Sequence, residues 1–544
     1  MQYVAERFTD EEARALRPYF TSLDGPVFAL VNLPEVVKGA LFARYSRSPK
    51  SLRRLFLDEF VGELDLTGDL TVDAAVGLRR AEELYERVFL EYGDDSVAQL
   101  GGVHLACEQA SNLLTKVLEW GRLMSYLEQS TRYIAYDQRL GGRNRFWRDP
   151  AVIGSPLGAR YVAGLDGAFD DYAAMLPALG EWARERYPKD PADSDFVYRQ
   201  TIKAKACDAA RGVLPAATLS NVGIYGSGQG YEALLIRMRA HPLPEARRYA
   251  DLMLTELRRV IPSFLARVDR PDRGGAHGAH LARQREETAA VVDRIFGATP
   301  ADDAPAVTLV DFDPDGEDKV LAAICYPHTT LPERQVLDRV RRLGAADRVA
   351  LLRAAVGERT NRRHRPGRAF ERTGYRFDVL CDYGAFRDLQ RHRLLTIEWQ
   401  DLSPVHGYEI PEAVREAGLA DRFDGAMDRS RALHGLLRGA FPDQAAYAVA
   451  LAYRLRFAMG LNAREAMHVL ELRTTPQGHP SYRGICQEMH RLIADVAGHR
   501  AIAAAMSHVD HRTYELERLE SERASERRRA GPSAGLVATG ANDG

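Results

Sequence analysis

A chain of 544 residues carrying 74 Lys+Arg against 76 Asp+Glu has a formal net charge of −2, so no overall field draws it to polymeric nucleic acid or an anionic membrane. Hydrophobic residues at 45% and charged residues at 28% exclude a disordered or fibrous protein, and the length predicts two domains. The five cysteines stand singly without a C-x-x-C pair, which excludes a disulfide framework and a cysteine zinc site.

The start, "MQYVAERFTDEEARALRPYF", lacks the basic end and apolar core of a signal peptide, and no window approaches about eighteen apolar residues. The expected location is cytoplasmic. "PVFALVNLPEVVKGALFARY" then reads as a strand followed by a helix. From Asn112 to Leu123, Leu113, Leu114, Val117, Leu118 and Leu123 fall on one helical face, with Glu119 and Arg122 off it. Where that helix is expected to end, "MSYLEQSTRYIAYDQR" begins. In extended chain, S-x-R puts Ser130 and Arg132 on one side, and a hydroxyl beside a guanidinium fork suits phosphate oxygens. A solvated helix end with surface tyrosines fits the same residues. "GIYGSGQGYE" lacks the G-x-G-x-x-G spacing and no strand clearly precedes it, so it reads as a loop.

Residues 268–306 are rich in Gly, Pro, Ala and charge around one short helix-like segment and read as a linker. "AVTLVDFDPDGEDKVLAAICY" again reads as a strand and helix. "QRHR", Gln390 to Arg393, follows an amphipathic helix; its donors suit a pyrophosphate, or simply complement the helix dipole. "AAYAVALAYRLRFAMGL" and "AREAMHVLELR" read as buried helices, the second with Arg464 and His468 on one stripe. His499, His508 and His511 lack carboxylate or cysteine neighbours at ligand spacing, so no metal site is expected. Residues 520–544 are polar enough to predict a disordered tail.

The two parts repeat one order: strand-like run and helix, a long helix ending in an arginine-bearing motif, then a helix-rich region. Literal identity between them is low. "WGRLMSYLEQSTRY" and "RHRLLTIEWQDLSPVHGY" resemble opposite ends of the motif R-H-R-x-x-S-x-N-E-x-S-x-R-Y of the flavin-dependent thymidylate synthases. Arg122, Ser125, Glu128, Ser130, Arg132 and Tyr133 match in the first, where Trp120, Gly121 and Leu127 replace Arg, His and Asn. Arg391, His392 and Arg393 match in the second, where Thr396 replaces Ser. "AARGVLP" and "LNAREAMHVLELR" are similar to further family segments, and the resemblance spans most of both bodies.

The resemblance implies an α+β fold of two such domains, each a twisted antiparallel sheet packed with helices. Residues 1–267 would keep the nucleotide-binding part and 307–519 the RHR part. It implies nucleotide contacts from Glu128, Ser130, Arg132, Arg211 and Arg239, with Arg132 and Arg239 stabilising charge at the reacting base. Arg391, His392, Arg393, Asn462 and Arg473 would face FAD. The implied reaction converts dUMP to dTMP with methylenetetrahydrofolate and NADPH, without a cysteine nucleophile, at sites shared by the halves of a homodimer that forms a pseudo-tetramer. Ala446, where the family has a phosphate-site arginine, and the missing half-motifs leave two alternatives: a diverged C5 alkylase of another uracil nucleotide, or a noncatalytic flavin or nucleotide binder.

Overall fold

Strands carry the motif segments in the computed structural model, which describes residues 6–25, 28–35, 37–38, 41–42, 50–59, 99–132 and 134–529. The first part runs β1 (Gly102–Ser111), α1 (Asn112–Leu118), β2 (Met124–Glu128), α2 (Gly158–Arg186), α3 (Asp195–Ala210), β3 (Leu219–Ser227) and α4 (Gly228–Arg239). The second runs β4 (Val307–Phe312), β5 (Gly374–Asp382), α5 (Tyr383–Leu389), β6 (Leu395–Trp399), α6 (Ala420–Arg438), β7 (Arg454–Asn462), α7 (Ala463–Arg473) and α8 (Pro480–Asp495), with shorter helices between. This is an α+β chain with two small sheets, ordered β1-β3-β2 and β4-β5-β7-β6.

The repeat inferred from layout is visible in topology. β1-β3-β2 and β5-β7-β6 have the same order, and the outer strand of each pairs antiparallel with the central one, from Met124↔Gly226 to Glu128↔Val222 and from Leu395↔Leu461 to Trp399↔Phe457. Each central strand ends on the residue that caps the next helix. Ser227 accepts from the Gly230 N–H and Asn462 from the Glu465 N–H, satisfying donors that a helix start leaves open.

Three local readings are corrected. The helix expected through Leu123 stops at Leu118; the chain turns at Gly121, whose carbonyl accepts from the Tyr126 hydroxyl at 3.2 Å, and Ser125 and Glu128 lie on β2. "AAYAVALAYRLRFAMGL" is a short 3-10 turn and then β7, where Leu455, Phe457, Met459 and Leu461 are buried in alternation. Its small residues hid the period of two. "GIYGSGQGYE" is a strand-to-helix junction, and its glycines serve close packing: a Cβ on Gly228 would meet Phe264 at 2.8 Å.

The chain forms two compact units, one of Met1–Glu108, Val117–Glu128 and Asn221–Pro300, the other of Gln109–Lys116, Gln129–Ser220 and Ala301–Gly544. These do not coincide with the sequential halves 1–267 and 307–519, because 129–220 folds with the later part of the chain. In the first unit Tyr231, Leu234, Leu235 and Met238 of α4 are buried with Tyr249, Met253 and Phe264. In the second, α2 packs on α3 and α6, and Phe386 stands edge-on to Phe457 at 5.1 Å over the larger sheet.

Within the linker region, Gly274–Phe296 is one largely exposed helix of 23 residues, far longer than its sequence suggested. The expected tail begins as helix Leu519–Arg529, which packs on α3 and whose Arg523 Nε donates to Asp193, just before α3, at 2.5 Å; later residues lie outside those described. Most of the expected first strand and helix, 26–45, also lies outside them or is described only in pieces. Among the described residues no helix is long and apolar enough to cross a membrane.

One buried ion pair ties the loop before β5 to α7. Arg359 donates to both Glu471 oxygens at 2.6 Å and to the Ala505 carbonyl at 2.7 Å, with side chains 2% and 1% exposed. Removing one partner strands the other charge. Arg359→Ala is expected to destabilise by about 3–5 kcal/mol in denaturant unfolding, and Arg359→Met with Glu471→Leu by clearly less; equal losses would refute this account.

Candidate functional site

The second unit buries a lattice of guanidinium and carboxylate groups drawn from both parts of the sequence. Arg132, in the turn after β2, donates through Nε and Nη2 to the two oxygens of Asp208 on α3 at 2.8 and 2.7 Å, and through Nη1 to the Tyr482 hydroxyl at 3.0 Å. The Ser130 hydroxyl accepts from the Arg132 N–H at 3.2 Å, which fixes the turn. Asp388 at the end of α5 pairs with Arg391 and, at 3.5 Å, with Arg473 from α7. Arg473 also donates through Nε to His392 Nε2 at 2.9 Å and lies over the Tyr482 ring at 5.5 Å.

Arg211 differs from these. It is 4% exposed, and its Nη2 has no hydrogen-bond partner. Asp382, Asp388 and Asp208 all feel its charge, and Gly384 leaves it room, since a Cβ there would come within 3.1 Å of Nη2. The lattice therefore holds four guanidinium groups, Arg132, Arg211, Arg391 and Arg473, against three carboxylates. A bare buried donor beside a surplus of positive charge is a place for an anion.

The charge states follow from the neighbours. Burial would raise the Asp208 carboxyl, but Arg132 overrides it and holds it at about 2. Asp388 is likewise lowered against its burial by Arg391, Arg473, Arg211 and Arg132. Asp382, which caps α5 and accepts from Ser481, is pushed up because burial outweighs Arg211. Burial and then Arg473 keep His392 neutral; burial lowers His468 to about 4 and raises Glu465 to about 7.

His392, Glu465 and His468 could offer ligand atoms to one metal ion. The surroundings oppose it: Arg365, Arg464 and Arg393 act on Glu465, Arg362 and Arg473 on His468, and Arg473 already occupies His392 Nε2. This positive field suits anions.

Arg132, Arg211, Arg391, His392 and Arg473, five of the residues chosen from sequence, come together here, with Ser130 beside Arg132. Arg393 is exposed two residues beyond Arg391, and Asn462 commits its Oδ1 to the helix cap. Glu128, buried on β2, and Arg239 belong to the first unit, where Arg239 is half-exposed and pairs with Asp251. Tyr133 lies outside the described residues. Sequence reasoning missed Asp208, Asp382, Asp388 and Tyr482. Asp208 and Asp388 each stand three residues before an arginine, a spacing that carries a signal only once the arginines are known to be buried.

A family model described as thymidylate synthase complementing protein matches residues 50–263 and again 308–498. The chain belongs to that family. Two matches in one chain identify a tandem of two diverged copies. UPF0159 proteins of Chlamydia muridarum and Chlamydia pneumoniae are each 38% identical, over 525 and 522 residues, covering 95% of this chain and 98% of theirs. A UPF0159 protein of Thermoplasma acidophilum is 31% identical over 514 residues, 89% of this chain and 97% of its own. Where the first copy departs from the family motif, packing has taken over: Trp120 lies under Arg237 at 4.7 Å, and a Cβ on Gly121 would meet the Tyr126 hydroxyl at 2.5 Å.

Because the folded Asp208 carboxyl sits below its unfolded value, its contribution is complete above about pH 4 and fades as pH falls toward 2. Asp208→Asn should cost roughly 2 kcal/mol at pH 7, with a gap to the parent that narrows as pH falls from about 4 toward 2. A gap independent of pH in thermal unfolding would contradict the assignment.

Proposed function

We propose that the chain is a flavin-dependent enzyme that methylates dUMP at C5, with one composite site built from Ser130, Arg132 and Arg211 of the first copy and Arg391, Arg393 and Arg473 of the second. The balanced reaction takes dUMP, methylenetetrahydrofolate, NADPH and a proton to dTMP, tetrahydrofolate and NADP+. Family membership supports the reaction class. The observation that carries the site is Arg211 Nη2, buried and unpartnered in a lattice with one more guanidinium than carboxylates. Arg211 would take the nucleotide phosphate, with Arg132 held in place by Asp208 and Tyr482 to lend charge from behind.

The residues on the other side fit a dinucleotide's diphosphate. Arg391 is 33% exposed and Arg393 is exposed, so both can reach a ligand, whereas buried His392 positions Arg473. When bound, reduced flavin would supply the hydride and NADPH would restore it. The protein groups bind and orient the nucleotide, keep Asp388 ionised between Arg391 and Arg473, and place positive charge where the pyrimidine gains electron density. In this reading a homodimer would assemble as a pseudo-tetramer of family domains.

The saturation of Arg132 by Asp208 favours one second reading, a diverged site for a different uracil nucleotide. Flavin absorbance of the purified, FAD-supplemented protein and NADPH oxidation with dUMP decide between them. Arg211→Met is expected to weaken dUMP binding at least about tenfold, roughly 1.4 kcal/mol, with flavin absorbance kept, and Arg391→Ala to lose flavin first. No flavin uptake by the parent protein sinks both enzymatic readings; flavin with a response only to another uracil nucleotide selects the second.

A further inference from the structure

The second unit has another cationic cleft, away from any motif, between α2 and α3. Its volume is about 560 Å³, within the range of small-molecule sites, and Arg184 of α2 with Arg199 and Lys203 of α3 line it. Arg199 and Lys203 are one helical turn apart and so share a face. Among the described residues none of the three cations makes an ion pair or a side-chain hydrogen bond; Asp195, near Arg199, is bonded instead to Lys189. Asp137 is the one carboxylate in the lining.

The lining is apolar at Leu176, Pro177 and Ile202, and Tyr198 adds a ring whose hydroxyl is held by the Tyr187 carbonyl at 2.9 Å. On α2, Gly180 stands beside Arg184, whose guanidinium would lie 3.8 Å from a Cβ there. Three unmatched cations beside an apolar lining with one tyrosine ask for a ligand with several negative charges and a flat unsaturated body.

We infer that this cleft is a binding site for a small organic polyanion bearing a planar ring system, separate from the arginine lattice. Two sources share that chemistry: a nucleoside polyphosphate, and a pterin carrying a chain of glutamates. Asp208 and Cys207 are neighbours on α3 but face different surroundings, Asp208 the lattice and Cys207 the cleft. The cleft and its polyanion are argued without the reaction proposed above; only the pterin source rests on that reading.

The test is calorimetric titration of the full chain carrying Arg211→Met, which is meant to silence the lattice, with UTP, folate triglutamate and folate monoglutamate as probes. One probe should bind with a Kd below about 100 µM. Arg184→Ala, Arg199→Ala and Lys203→Ala should each weaken it at least tenfold, and Asp137→Asn should tighten it two- to threefold. Opposite signs from single substitutions separate a binding site from a folding defect. Preference for triglutamate over monoglutamate assigns the pterin source, and binding of UTP alone assigns the nucleotide. Binding of none of the three probes with a Kd below about 100 µM, or binding unaffected by the three cation substitutions, overturns the inference.

Discussion

A guanidinium taken out of water must be met by a carboxylate, and Arg132 meets its match only in Asp208 on α3. That requirement ties the turn after β2 to α3, and through Tyr482 to α8. Asp388 does the same for the RHR arginine and α7. Breaking any one partner leaves a buried charge uncompensated, so the lattice fixes which segments fold together. It is consistent with 129–220 folding with the second half of the chain: Arg132 reaches Tyr482, and the Arg211 charge acts on Asp382 and Asp388.

Duplication makes this arrangement permissible. In a single-copy ancestor each domain would have to carry both ends of the motif. Once two copies are fused, one can keep S-x-R and the other RHR, and the released positions can be used for packing. Trp120 under Arg237, and Gly121 against Tyr126, are such uses. The shared strand order of the two copies, together with the matching caps Ser227 and Asn462, shows that the framework was retained while the side chains parted.

Much of the framework was legible because it rests on local patterns. The strand and helix from Val307 to Cys325 and the helix Ala463–Arg473 follow directly from periodicity. β7 was not legible as a strand, since its alternation is carried by Leu455, Phe457, Met459 and Leu461 behind an alanine-rich approach that a helix would equally favour. The arginines were found through a motif, whereas their carboxylates were not. Asp208 and Asp382 have no local pattern that separates them from surface acids; their placement beside Arg132 and Arg211 is a property of long-range packing. The compact units were hidden for the same reason, because sequence order suggests halves and contact does not respect it.

The difference between the lattice and the cleft lies in what an unmatched charge costs. Exposed Arg199 and Lys203 remain solvated, so their lack of partners costs little and gains meaning only from the shaped, partly apolar space they share. Arg211 is buried, and an Nη2 that finds no acceptor in the protein is costly there. Folding would ordinarily remove such a defect by a fourth carboxylate or a carbonyl. Gly384 instead lets the guanidinium pack close against the chain, and Asp382 is committed to capping α5 and to Ser481. A buried donor without an acceptor in the protein fits a ligand that supplies one, which makes Arg211 the residue on which the functional reading turns.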